Sequence, residues 1–222
     1  MSSRFVAAKR VALCALGIGL VSFGVALTAS SNLGTSPISS VAWVAHCVSI
    51  ESDYLPRLTF GTTTLLLNLV FFFVQWAIQG RSFGKLQFLQ IPCTFLFGIL
   101  IDLSMVLCAY LPASYYPLKV MEVVVGCAFV AMGLACEFAA DVLYLPGDGV
   151  VKTLANAIKM KTGVMKITFD AFLTASAALI SFLLIAKVVG IREGTLLSAF
   201  AVGFFLRLLQ PILDKLRVLT RR

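Results

Sequence analysis

The sequence has a single histidine, His46, no two cysteines in a C-x-x-C pair, and only 10 acidic side chains against 18 basic ones in 222 residues. A lone imidazole with no second His or acid at ligand spacing speaks against the common zinc arrangements and against histidine-based acid–base catalysis. The six cysteines, Cys14, Cys47, Cys93, Cys108, Cys127 and Cys136, fall mostly inside apolar runs. They read as small core residues rather than as a disulfide or metal framework. No phosphate-binding glycine loop, no G-x-S-x-G and no H-E-x-x-H occurs either. With no nucleophile and base at a usable spacing, the chain is not expected to be an enzyme or to need a cofactor or a metal. Charge is scarce too: 13% of residues are charged and 60% hydrophobic, with a mean hydropathy of +0.99. Soluble domains of this size do not have that balance, so the chain belongs in lipid.

A helix rises about 1.5 Å per residue, so about 20 apolar residues cross a hydrocarbon core of about 30 Å. Six runs are long enough, at 11–31, 58–79, 86–110, 118–142, 164–186 and 195–213. The joining segments leave no room for a soluble domain, which predicts a single integral membrane domain over 1–222. Arg4, Lys9 and Arg10 precede the first run as they would in a secretory signal, but no hydrophilic mature protein follows, so a retained span is expected. The net charge of +8 lies in the ends and loops flanking the runs. That is the positive-inside pattern, not the single basic face of a nucleic-acid binder. Together with Lys215, Arg217, Arg221 and Arg222 after the last run, it places both termini in the cytoplasm.

The order of features recurs. LGTSPISS (33–40) stands against LPGDGVVK (145–152), LTFG (58–61) against ITFD (167–170), GRSFGK (80–85) against GIREG (190–194), and FGILIDL (97–103) against VGFFLRL (202–208). Each half reads span, Gly/Pro turn, short helix, span, basic turn, span, with repeat one at about 11–110 and repeat two at about 118–213. Three spans is an odd number, so the second half must enter the membrane upside down. The expected fold is therefore all-α, with six transmembrane helices in two inverted three-helix repeats, each carrying a short re-entrant or interfacial helix. Secondary transporters use such repeats and bind near the midplane, where broken helices meet. A rival count makes 37–51 and 149–162 full spans, giving eight spans in parallel repeats. GVVKTLANAIKMKTG, with three lysines and an asparagine, suits an interfacial or re-entrant helix better.

Gly34, Pro37, Pro146, Gly147 and Gly149 build the two turns. Ser36 and Asp148 are expected N-caps, with Pro37 and Gly149 at the first helical positions. Helix N-termini of this kind favour negative charge. Glu137 and Asp141 are four apart and share a helix face. With Asp148 and Asp170 they make one half acidic where its counterpart has Thr28, Asn32, Ser36 and Gly61. A carboxylate at the bilayer centre costs about 2.5–3.5 kcal/mol on insertion scales, so it faces protein, a partner or water. Glu137 and Asp170 lead the candidates for binding a cationic group or carrying a proton, with Asp148, Asp141, Ser36 and Asn32 beside them. The competing reading is ion pairing, Lys166 with Asp170 and Lys152 with Asp148. Asp102 and Arg207 hold matching places with opposite charge, but inversion puts them at opposite sides, so Arg207 is expected to snorkel. With Arg192 and Glu193 they are candidates for gating or pairing. Asn68 is expected to hydrogen-bond between helices.

Taken in order, LGTSPISS, LQIPCTFLFGILIDL, LPGDGVVK and GIREGT resemble the motifs of the bacterial YczE/YyaS/YitT-type membrane proteins over nearly the whole chain. The resemblance implies a multi-pass membrane protein. It draws attention to Gly34, Pro37, Pro92, Gly98, Asp102, Pro146, Gly147, Gly149, Arg192, Glu193 and Gly194 without giving any of them a role. Members with an extra soluble C-terminal domain differ from this chain, which ends DKLRVLTRR after the last run. The expected function is binding or movement of a small solute, linked to a cation or a proton. The expected partners are the lipid bilayer, an unidentified small molecule or ion, and a second copy or a separate energising subunit, with no nucleic acid. The alternatives are a capture subunit that needs a separate ATPase and a non-transporting membrane adaptor.

Overall fold

The computed structural model describes residues 3–52, 56–111, 114–140, 143–209 and 211, with side chains from residue 8 onward. Among them the secondary structure is helical throughout. The order is α1 (Ser3–Ser30), α2 (Pro37–Glu51), α3 (Phe60–Gln79), α4 (Gln90–Cys108), α5 (Tyr116–Ala140), α6 (Pro146–Ala157), α7 (Thr162–Ile185) and α8 (Glu193–Leu208). Two 3-10 turns, Gly80–Ser82 and Lys85–Leu89, join α3 to α4.

Five stretches are long and apolar enough to cross a membrane: Ala8–Ser30, Phe60–Ser82, Lys85–Cys108, Tyr116–Ala140 and Thr162–Ile185. The protein is a multi-pass helical membrane protein. Large apolar side chains such as Phe73, Ile99, Leu103, Phe172, Leu183 and Phe200 face outward, as a lipid-bathed surface allows. The sixth expected run begins in α8, which spans 16 residues. Its end lies outside the described residues, as do Asp141 and the basic tail with Lys215, Arg217, Arg221 and Arg222.

The two longest helices, α1 and α5, meet through glycine. A Cβ on Gly24 would stand 2.5 Å from the Gly126 carbonyl oxygen, and one on Gly133 would stand 2.6 Å from that of Gly17. Numbering rises along one helix as it falls along the other, so α1 and α5 run antiparallel. Lipid supplies no hydrophobic force between helices, and small residues let backbones approach closely enough for dispersion to hold them. Around this pair, α1 packs on α4 and α5 on α8, α2 packs on α7 and α6 on α3, and α2 meets α3 as α6 meets α7. Exchanging the chain halves carries each of these pairs onto its counterpart. One constant shift in numbering takes Gly17 to Gly126, Gly24 to Gly133 and Pro37 to Pro146.

That shift corrects the expected start of α6. The helix begins at Pro146 with Leu145 as N-cap, and Asp148 lies in its first turn rather than capping it. Proline suits the first helical position because its φ is already helical and its missing N–H has no partner there to lose. Pro37 opens α2 in the same way after Ser36, whose hydroxyl donates to Ser39 Oγ at 3.1 Å instead of capping the backbone. Both helices are too short to cross, at 15 and 12 residues, and both are interior. In α6 the buried residues run from Pro146 to Ala155, and exposure begins at Asn156.

Adding one methyl tests the glycine seam. Gly24→Ala should lower unfolding stability in detergent by roughly 1–3 kcal/mol through overpacking. Gly19→Ala, with nothing within 4 Å, should leave stability unchanged or raise it by roughly 0.5–1 kcal/mol. Equal losses at both positions would mean that α1 and α5 do not meet here.

Candidate functional site

Glu137 is reached by the last turns of α5 and is almost fully enclosed, with 1% of its surface exposed. Its Cγ lies against Gly17 of α1, where any side chain would push it out. The carboxyl accepts a hydrogen bond from the backbone N–H of Leu145, the N-cap of α6, and Asp148 is near enough to act on it electrostatically. Its Oε1 has no partner. A carboxylate buried without a full set of partners is costly, and a proton or a bound cation is what relieves it.

Asp148 belongs to a second, partly buried group. Lys166 Nζ stands 3.6 Å from Asp148 Oδ1 and 3.2 Å from Asp170 Oδ1, so one ammonium serves two carboxylates on α6 and α7. The expected Lys166–Asp170 pair is therefore present, one helical turn apart. The expected Lys152–Asp148 pair is replaced by a cation–π contact, with Lys152 Nζ 3.2 Å from the centre of the Tyr144 ring. The start of α6 also touches the start of α2, since a Cβ on Gly147 would lie 2.7 Å from Ile38 Cδ1.

The far side of the 143–149 turn borders an open cleft of about 700 Å³. Gln75 holds the turn from α3, its Nε2 donating to Pro146 O at 3.0 Å and approaching Gln90 Oε1 at 3.4 Å. Gln79 Nε2 donates to Thr153 Oγ1 at 2.6 Å. The matching turn in the first half is shut. Gly194 N–H donates to Leu33 O at 2.9 Å, Ser198 Oγ donates to Thr35 O at 3.4 Å, and Gly34 packs on the Thr195 hydroxyl. Gly34 has a φ of 110°, a left-handed backbone that favours glycine.

Residues 8–211 match DUF6198, a family of unknown function. The chain belongs to that family. Comparison with curated proteins and with solved structures finds no match. The DUF6198 match takes in every element of the site, from Gly17 to Ser198.

The remaining expected residues take structural places. Asn32 is exposed in the turn that follows α1, with a φ of 57°. Arg192 Nη1 donates to the Asn32 carbonyl at 3.4 Å, and its Nε lies 3.6 Å from the neighbouring Glu193 carboxylate. Asp102 does not meet Arg207. It accepts from Thr59 Oγ1 at 2.6 Å and from Gly61 N–H at 2.7 Å, clamping the start of α3, where a helix end favours an anion. Arg207 is exposed in the last turn of α8. Asn68 donates to Thr64 O of its own helix. His46 Nδ1 lies 2.7 Å from Leu58 O, a link between α2 and the approach to α3.

Sequence reasoning passed over the glutamines. Gln75, Gln79, Gln87 and Gln90 sit at the ends of two apolar runs, and the i, i+4 spacing of the first pair was the available signal. Gln75→Leu should cost about 1–3 kcal/mol in thermal unfolding, because its bond to Pro146 O is buried. Asn156→Leu, at the exposed end of α6, should cost less than about 0.5 kcal/mol. If the two cost the same, the 143–149 turn does not depend on Gln75.

Proposed function

We propose that the protein binds a small solute in the cleft beside α6 and carries it across a bacterial plasma membrane, with a proton or a cation at Glu137 as co-ligand. The observation that carries this reading is the enclosed Glu137 carboxyl, one oxygen unpartnered, beside the start of a short interior helix. Ionisable groups inside membrane chains mark ion and substrate paths.

The antiparallel glycine seam supports the topology that goes with it. If α8 completes a sixth crossing and α2 and α6 re-enter, the first helices of the two halves run in opposite directions, as Gly17 with Gly133 and Gly24 with Gly126 require. Eight crossings in parallel repeats would make them run the same way. In this inverted reading both termini are cytoplasmic, the cleft opens inward and the Leu33–Gly194 contact closes the outer face. A carrier open to one side has this inequality between matched halves. The likeness of its turns to those of the YczE/YyaS/YitT-type proteins is in keeping with a multi-pass membrane protein.

Reconstituted liposomes provide the test. Labelled solute pools, offered under an imposed proton or sodium gradient, should accumulate with the native chain. Accumulation should fall at least about tenfold in Glu137→Gln, a loss of roughly 1.4 kcal/mol or more in the coupled step. Full accumulation by both Glu137→Gln and Asp170→Asn would overturn the reading. Transport that appears only with a copurifying ATPase would make the chain a capture subunit. Solute binding and transport absent under every condition would leave the membrane adaptor.

A further inference from the structure

The carboxamides of this chain are unevenly placed. Of the seven Asn and Gln side chains among the described residues, five line the cleft beside α6: Gln75, Gln79, Gln87, Gln90 and Asn156. The other two are Asn32 and Asn68. They come from α3, the second 3-10 turn, the start of α4 and α6, so no single helix accounts for the gathering.

A carboxamide both donates and accepts hydrogen bonds without carrying charge, which is also the character of a hydroxyl. Among the described residues no carboxylate lines the cleft, and the one cation among them, Lys152, lies over the Tyr144 ring. A site for an ionic solute would carry an opposing charge, whereas this lining matches a solute rich in neutral groups that both give and take hydrogen bonds. Gln75 and Gln90 are enclosed, at 1% and 3% exposure, and already bonded within the protein. Gln87 Oε1 differs: it is shielded from solvent and has no partner, an acceptor in want of a donor. A volume of about 700 Å³ lies within the range of small-molecule sites, and Tyr144 supplies an aromatic wall.

We infer that this cleft binds a neutral polyhydroxylated solute of the sugar or polyol class. The inference rests on the carrier reading and divides its labour: the cleft holds the solute, and Glu137 holds the coupling proton or cation. The 143–149 turn joins the two, because Tyr144 and Gly149 line the cleft while the N–H of Leu145 bonds the Glu137 carboxyl.

The test is equilibrium binding of tritiated glucose and myo-inositol to the purified full chain by scintillation proximity, with labelled methylammonium and acetate as charged probes. At least one neutral probe should bind saturably. Its affinity should fall at least about tenfold in Gln87→Leu and in Asn156→Leu, as expected when a bonded polar group is lost. Both positions are outside the packed core, and an unchanged melting temperature shows that each variant is folded. Gly19→Ala, whose added methyl meets nothing within 4 Å, should bind the neutral probe within about threefold of the native chain. No saturable binding of either neutral probe up to about 10 mM, or binding indifferent to Gln87→Leu and Asn156→Leu, overturns the inference. Gradient-driven uptake of a charged solute through Glu137 without neutral-probe binding would sink this assignment and leave the carrier reading standing. Neutral-probe binding without gradient-driven uptake would do the reverse.

Discussion

Everything in this molecule is arranged around the contact of two backbones, α1 and α5, at Gly17 with Gly133 and Gly24 with Gly126. Between helices in lipid the attraction is short-ranged, so it matters only where atoms touch. The contact sets the direction of one half against the other. It also places equivalent residues in equivalent surroundings: Thr28 lies against Gly126 as Glu137 lies against Gly17. The same niche therefore receives two chemistries. Thr28 folds its hydroxyl back onto Val25 O at 2.8 Å and is satisfied within its own helix. Glu137 reaches the start of α6 and keeps one oxygen unpaired.

Most interior hydroxyls follow the Thr28 pattern. Ser22, Ser40, Thr63, Thr94 and Thr153 each donate to a carbonyl three or four residues earlier. Such bonds remove the need for an outside partner and leave helices to meet through apolar and small residues. Several of the polar contacts that cross between elements occur where the backbone is irregular. Asp102 holds the start of α3, Gln75 holds the turn before α6, and Ser181 accepts from Val189 N–H and donates to Lys187 O at the bend after α7. Irregular backbone is tolerated in a membrane only where protein or a wet cavity satisfies it, and these side chains meet that condition.

Run length alone made the five membrane-length helices legible, and Pro37 and Pro146 marked the two short ones. Spacing along a helix also made the Lys166–Asp170 pair legible. Features that depend on distant segments were not. Asp148 was misplaced because LPGD offers two plausible helix starts, and the choice of Pro146 emerges only when α6 is set beside α2. Lys152 went to the aromatic face of Tyr144, whose position depends on how the 143–149 turn folds back. The carboxamide lining combines residues from four elements that only tertiary structure brings together. The seven-residue glycine spacing in α1 and α5 could have been read from the sequence and was not.

The seam also has mechanical properties. Its two glycine contacts lie about 10.5 Å apart along each helix, at about 1.5 Å per residue. Translating one helix past the other would drive Val21 and Val130, which already border the contacts, into the opposing backbone. The seam therefore acts as a key in a slot: it fixes the register of α1 against α5 and holds it against sliding.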